Sequence, residues 1–307
     1  MIYLKLFRYR NLLMIILIQY LIRYCIILPL LEANHLTPLI NELFFFFLVL
    51  SCVLISAAGY AINDYFDLRI DRINKPDKII LGRKISRRRA IFFHTFFNIL
   101  GILLAAFVAI KVQLLRLTAI HIVAATLLWF YATYYKRRFL TGNIIVALLT
   151  AFVVLTVWIF EFYPRQIVLN NLIDFSYTKM IVYLYAAFAF ITTIIREVIK
   201  DVQDIEGDEK VGCKTMPIQW GINKAKSFVI ILILFTIISI TYIQYLFWVH
   251  HLILLLLYSL FLIQIPFIFV IFKIIKANEK KHYVFLNVFT KLIMLMGILS
   301  MLLLLCK

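Results

Sequence analysis

Six of the eight aspartates in the sequence fall into two groups of identical spacing. The first is Asn63-Asp64-Tyr-Phe-Asp67-Leu-Arg-Ile-Asp71 and the second is Asp201-Val-Gln-Asp204-Ile-Glu-Gly-Asp208, both reading D-x-x-D-x-x-x-D. On a helix, positions i, i+3 and i+7 share one face. Each group therefore sets three carboxylates side by side, where they repel unless cations neutralise them. Magnesium prefers hard oxygen ligands and commonly binds through one or two carboxylates plus substrate phosphates. Asp64, Asp67, Asp71, Asp201, Asp204 and Asp208 are the expected Mg2+ ligands, with Asp64, Asp67, Asp201 and Asp204 as the catalytic core of the set. Asn63 adds an amide oxygen four residues before Asp67. The expected chemistry is a magnesium-bridged polyphosphate site. Solvated helix ends are the plainer alternative, but acids are costly close to a bilayer, and two groups of the same spacing need a common reason.

Basic residues follow each group. Arg72, Lys75 and Lys78 come directly after the first, then Arg83 and Lys84, with Pro76 and Gly82 marking a loop. Arg72 and Arg83 are candidates to grip non-bridging phosphate oxygens. Lys84 and Arg87, Arg88 and Arg89 suit lipid headgroups. The fourth apolar run ends Tyr131-Ala-Thr-Tyr-Tyr-Lys136, and spacing alone favours an aromatic belt with a basic anchor there. Arg196 lies about a turn inside the end of the sixth run, where it needs a partner such as Glu197 or Asp201, or contact with substrate.

The elements that must position these residues are legible in the composition. Of 307 residues 64% are hydrophobic and the mean hydropathy is +0.99, well above a soluble domain. Nine apolar runs, at about 11–31, 38–62, 90–110, 115–135, 141–162, 177–199, 226–247, 250–272 and 284–305, are each long enough for a spanning helix of roughly 20 residues. They are continuous rather than alternating, which excludes barrel strands. The short gaps leave no room for a soluble domain, so residues 1–307 read as one membrane domain. The aspartate groups end the second and sixth runs, four helices apart and hence on the same membrane side. Two related four-helix units plus a ninth helix is the simplest architecture.

A formal charge of +17 raises the question of nucleic acid. The Lys and Arg sit between apolar runs rather than on one soluble face, which argues against it. Lys5, Arg8, Arg10, the cations from Arg69 to Arg89, Lys136 to Arg138, the loop from Lys200 to Lys226 and Lys273 to Lys281 share one side. Lys111, Arg116, Arg165, Lys179 and Lys307 fall on the other. The positive-inside rule then places the N-terminus and both aspartate groups in the cytoplasm of a cell-membrane protein, and the C-terminus outside. No cleavable signal peptide is expected, because the first run is long and carries Arg23. Cys25, Cys52, Cys213 and Cys306 show no paired metal spacing.

The stretches NDYFDLRIDRINKPDK with GRKIS, and REVIKDVQDIEGDEKVGCKTMPIQWG, resemble the UbiA-type intramembrane prenyltransferases, with the likeness running from about Asn63 to Gly221. The resemblance implies nine helices around a central cavity, and transfer of an isoprenoid chain from its diphosphate to a lipophilic acceptor. It assigns Asn63, Asp64, Asp67 and Asp71 to the first metal motif and Asp201, Asp204 and Asp208 to the second. Tyr131 and Lys136 match the family's Tyr…Lys pair, one residue further apart than in some members. Lys78 stands where many members have Arg. The flanks most resemble the branch that transfers geranylgeranyl to geranylgeranylglyceryl phosphate. Prenylation of a quinone precursor or a chlorophyll-type acceptor is the alternative. A phosphate-bearing acceptor gives Lys200, Lys210 or Lys214 a role in holding that phosphate. A divalent-cation or phosphate transporter is the non-enzyme rival. Transporter sites usually lie near the midplane on broken helices, whereas these acids sit at helix ends and glycines number only eight.

Overall fold

The computed structural model describes residues 2–76, 79–169 and 175–305. Among them the chain is helical, without a strand. A short helix α1 (Ile2–Leu6) precedes α2 (Tyr9–Ala33), α3 (Glu42–Asn74), α4 (Arg87–Lys111) and α5 (Leu115–Thr133). Then follow α6 (Thr141–Leu169), α7 (Ser176–Lys210), α8 (Met216–Trp220), α9 (Ile222–Val249), α10 (Ile253–Ile275) and α11 (Lys280–Leu305). All but α1 and α8 are long and apolar enough to cross a membrane, so the described residues contain the nine expected spans.

Two of these helices overshoot their apolar runs. From position 62 to Asn74, α3 continues for roughly 18 Å at about 1.5 Å per residue, and α7 continues similarly beyond position 199. The aspartates ride on these extensions, fixed by the same hydrogen-bonded backbone that spans the bilayer. The start of α3 is set by Asn41, whose side chain accepts from Phe44 N at 3.0 Å. The end of α7 is set by Gly212, at φ +77°. Its N–H donates to Glu209 O, and the next N–H, from Cys213, reaches Asp208 O at 2.9 Å. Only glycine takes that left-handed turn without strain.

The chain divides into two compact units. Unit 1 is Met1–Lys136 with Phe152–Tyr183, and unit 2 is Arg137–Ala151 with Leu184–Lys307. The division runs through α6 and α7 rather than between helices. Asp64, Asp67 and Asp71 belong to unit 1, and Asp201, Asp204 and Asp208 to unit 2.

Unit 2 has an aliphatic core that includes Ile195, Val198, Ile199, Met216, Val229, Phe267 and Val270. In unit 1, buried charge fastens the chain between α2 and α3. Arg23 donates to Ile40 O at 2.7 Å and to Glu42 at 2.9 Å, and its guanidinium lies over the Phe45 ring. Glu161, only 2% exposed, accepts from Leu39 N at 2.7 Å and from Arg165 Nη2 at 2.8 Å. Arg165 also donates to Thr37 O. Arg165 is thus not the loop cation expected from its place in the sequence. α6 runs on to Leu169, and one turn of helix brings Arg165 onto Glu161, where the pair is sheltered from solvent. Cys306 and Lys307 lie outside the described residues.

Breaking a buried pair from one side leaves an uncompensated charge. Glu161→Ala is expected to destabilise the folded state by about 3–5 kcal/mol, read as unfolding in detergent micelles. A loss below about 1 kcal/mol, the range of an exposed pair, would show that the network does not hold the loop.

Candidate functional site

In the first acidic group Asn63 and Asp67 are each 5% exposed and lie one turn apart on α3. Asn63 Nδ2 donates to Asp67 Oδ2 at 2.7 Å. The Lys136 ammonium, from the turn that follows α5, donates to the same carboxylate oxygen and to Asn63 Oδ1. Asn63 therefore bridges an acid and a base, which fixes the orientation of its amide. Tyr131 is within electrostatic reach of Lys136. Burial by itself would lower the Lys136 pKa, but the adjacent Asp67 carboxylate outweighs it and holds the ammonium well above its ordinary value. The basic-anchor part of the expectation for this helix end fails for that reason, while Trp129, Phe130 and Tyr134 are exposed as an aromatic belt would be. Lys136 points at an acid rather than at the headgroups.

Arg8 supplies a second cation that sequence reading assigned only to topology. Its Nη2 donates to Asp64 Oδ1 at 2.8 Å, and the guanidinium lies 5.0 Å from the centre of the Tyr60 ring. Asn11 donates to Tyr60 OH at 3.2 Å. Burial works against the charged form here too, and the Asp64 carboxylate reverses it, raising the Arg8 pKa. Arg8 and Asp64 are 56 residues apart, so no local pattern could have joined them. Asp71, one turn beyond Asp67, is partly exposed at the end of α3.

The cations that follow the first group behave differently. Arg72 is exposed. Arg83 is exposed and donates to Pro76 O at 3.1 Å, within its own loop, and Lys78 lies outside the described residues. Lys84, Arg87, Arg88 and Arg89 are exposed, as a headgroup-facing role requires.

In the second acidic group Asp204 and Asp208 are 9% and 8% exposed. Asp201 accepts from Asn143 Nδ2 at 2.8 Å. Asp204 accepts from Gln203 Nε2 at 3.0 Å, and Asn287 in turn donates to Gln203 Oε1 at 3.2 Å. Arg196 has the partner it needs: it donates to Glu197 at 2.6 Å. Lys200 binds the other oxygen of Glu197 at 3.1 Å, and Lys210 pairs with Glu206 on the surface. Asn143 and Asn287 were missed in the sequence, although an isolated amide close to the end of an apolar run was the available signal for Asn143.

The donors in both groups are carboxylate and amide oxygens, the hard ligands that magnesium takes. Among the described residues no three His, Cys, Asp or Glu side chains converge to hold an ion unaided. An ion here would complete its shell from other oxygens, and Mg2+ commonly takes them from substrate phosphate and water. The residues fit magnesium on those terms.

Comparison with known proteins places this geometry. The family model described as the UbiA prenyltransferase family matches residues 25–299. Proteins named digeranylgeranylglyceryl phosphate synthase are similar in sequence. That of Methanosphaera stadtmanae is 34% identical over 189 residues, 61% of this chain and 62% of the relative. That of Pyrococcus abyssi is 35% identical over 65% of this chain and 64% of the relative, and that of Methanococcus aeolicus is 30% identical over 80% of each. The matched part thus spans less than two thirds of the first two relatives. A solved structure described as giving insights into "Digeranylgeranylglyceryl phosphate synthase in membranes" has TM-score 0.62 at 28% identity, covering 98% of this chain and 96% of its own. A UbiA homolog from Archaeoglobus fulgidus bound to DMAPP and Mg2+ shares the fold, with TM-score 0.59 at 18% identity over 98% and 99% of the two chains. With nine spans, two aspartate motifs and a family match over most of its length, the chain belongs to the UbiA prenyltransferase family.

Proposed function

We propose that this protein transfers a geranylgeranyl group from its diphosphate to geranylgeranylglyceryl phosphate, with Mg2+ as cofactor, as a single domain over residues 1–307 of a cell membrane. The observation that carries the reading is the Asn63–Asp67–Lys136 network, in which a buried acid and an amide of the first motif are locked to an ammonium from the turn after α5. The names of the relatives support this acceptor over an aromatic one. On this reading the N-terminus and the aspartate-bearing helix ends face the cytoplasm.

Asp64, Asp67, Asp71, Asp201, Asp204 and Asp208 would hold magnesium, with Asn63 as an amide ligand. Bound magnesium would neutralise diphosphate charge and make it a better leaving group. The protein's own groups account for the rest. Lys136 carries a fixed ammonium to the place where negative charge grows as the allylic C–O bond breaks and its electron pair leaves with the diphosphate. Tyr131 presents its phenol beside that ammonium. Arg72, in the last turn of α3, and Arg83, on the loop that follows, would contact the phosphates, as would Lys78, which the sequence assigns to the same task. Apolar and aromatic side chains exclude water, so the carbon centre reacts with the acceptor hydroxyl rather than with solvent. A new C–O ether bond forms, and the hydroxyl proton passes to the released diphosphate or to bulk water. Arg196, Lys200 and Lys214 are assigned to the phosphate of the acceptor. For Lys200 that means exchanging its bond to Glu197.

Purified protein in nanodiscs, given Mg2+, geranylgeranyl diphosphate and a panel of acceptors, is expected to make the ether product from geranylgeranylglyceryl phosphate and to stop when magnesium is chelated. Product from an aromatic acceptor alone would overturn the acceptor, and no turnover on any would overturn the enzyme reading.

Lys136→Met removes a charge aimed at the leaving group. Turnover should fall by about 10²–10³-fold, with Lys136→Arg retaining more than Lys136→Met. Equal activity of Lys136→Met and wild type would remove Lys136 from the chemistry.

A further inference from the structure

The segment ahead of α2 is bolted down with more care than a surface arm requires. Leu6 is 0% exposed and shares a small apolar cluster with Leu68 of α3, Leu81 and Ile85 of the following loop, and Ala90 of α4. Phe7 stacks edge-on against Phe93 and Phe97, and Tyr3 packs against Phe93 and accepts from Arg89. The segment thus grips the last turns of α3 and the loop that follows them, the stretch that carries the first aspartate motif and its basic residues. Directly after Phe7 the backbone turns left-handed at Arg8, φ +51°, and that turn sends the guanidinium to Asp64 and the face of Tyr60.

Stability does not explain this arrangement. The Arg8 side chain is 36% exposed, and ion pairs in such settings contribute little. A left-handed non-glycine residue is itself unfavourable. What the turn achieves is placement. Arg8 spends one N–H on Asp64, and a guanidinium has five, in a fork that matches phosphate. Asn11 holds Tyr60, the platform beneath it. The second cation, Lys136, sits one helical turn further along, on Asp67. Two cations gathered around two neighbouring acids make a surface on which a polyanion can pair with the cations while its metal pairs with the acids.

We propose that Ile2–Arg8 is a clasp whose purpose is to deliver Arg8 as a binding residue for the diphosphate of the prenyl donor. The inference rests on the reading under Proposed function. Leu6 is a positioning residue, acting only through Arg8.

The test uses the full chain in nanodiscs, with magnesium-dependent binding of geranylgeranyl diphosphate measured beside turnover. Arg8→Gln is expected to raise the KM for the diphosphate by about tenfold or more, the scale of one charge-assisted hydrogen bond. KM for the acceptor should hold, and Arg8→Lys should recover part of the loss. Leu6→Ser, which leaves the guanidinium intact, should raise the same KM. The double variant should be no worse than Arg8→Gln alone, because both act through one contact. An unchanged donor KM in Arg8→Gln overturns the proposal while wild-type binding stands. So does a loss that tracks a lowered melting temperature and is not recovered by Lys. A wild type that binds no prenyl diphosphate overturns the reading beneath it as well.

Discussion

The Asp67 carboxylate is buried on α3, and its charge is met by the ammonium of Lys136 and the amide of Asn63. Much of unit 1 is arranged around this need. A buried carboxylate cannot keep its charge without a partner. The partner must come from another element, because α3 offers an acid where its next turn would have to supply a base. The chain after α5 therefore turns so that Lys136 meets α3. Arg8 answers Asp64 in the same way from the other direction. Two segments distant in sequence are thus tied to one helix end by charge.

The same constraint acts again within unit 1. Arg23 is buried in α2 and is answered by Glu42 and the Ile40 carbonyl. Glu161 is answered by Arg165 and by two backbone amides. Such groups are expensive in hydrocarbon, and here every one of them bonds to the chain between α2 and α3. Packing in lipid lacks the hydrophobic drive that fixes loops in water, and buried charge supplies the fixing instead.

How much of this was legible in the sequence follows from range. The nine spans could be read because hydropathy is a local property, and the aspartate motifs because i, i+3 and i+7 lie on one helix. Arg196 could be given a partner in advance, since a membrane arginine must have one and Glu197 is its neighbour. Lys136 was harder. Spacing favours a membrane anchor, and only resemblance to a family pointed inward, toward what the structure finds on Asp67. Arg8 was illegible, because its partner lies 56 residues away and its turn depends on a left-handed backbone at a residue that does not advertise one. Arg165 was misplaced because α6 runs past its apolar stretch, and hydropathy does not register a helix that continues through a buried ion pair.

The two motifs have the same letters and different electrostatics. At the first position of the motif Asp64 is held by the guanidinium of Arg8, whereas Asp201 is held by the amide of Asn143. A cation both orients a carboxylate and offsets its charge, while a neutral amide only orients it. Repetition of D-x-x-D-x-x-x-D therefore fixes where the oxygens lie on their helices but not how strongly each draws a cation. That second property is written in residues far from either motif, in Arg8, Lys136 and Asn143. A duplicated acidic spacing is evidence of shared geometry. The chemistry each copy performs has to be read from the partners that the fold brings to it.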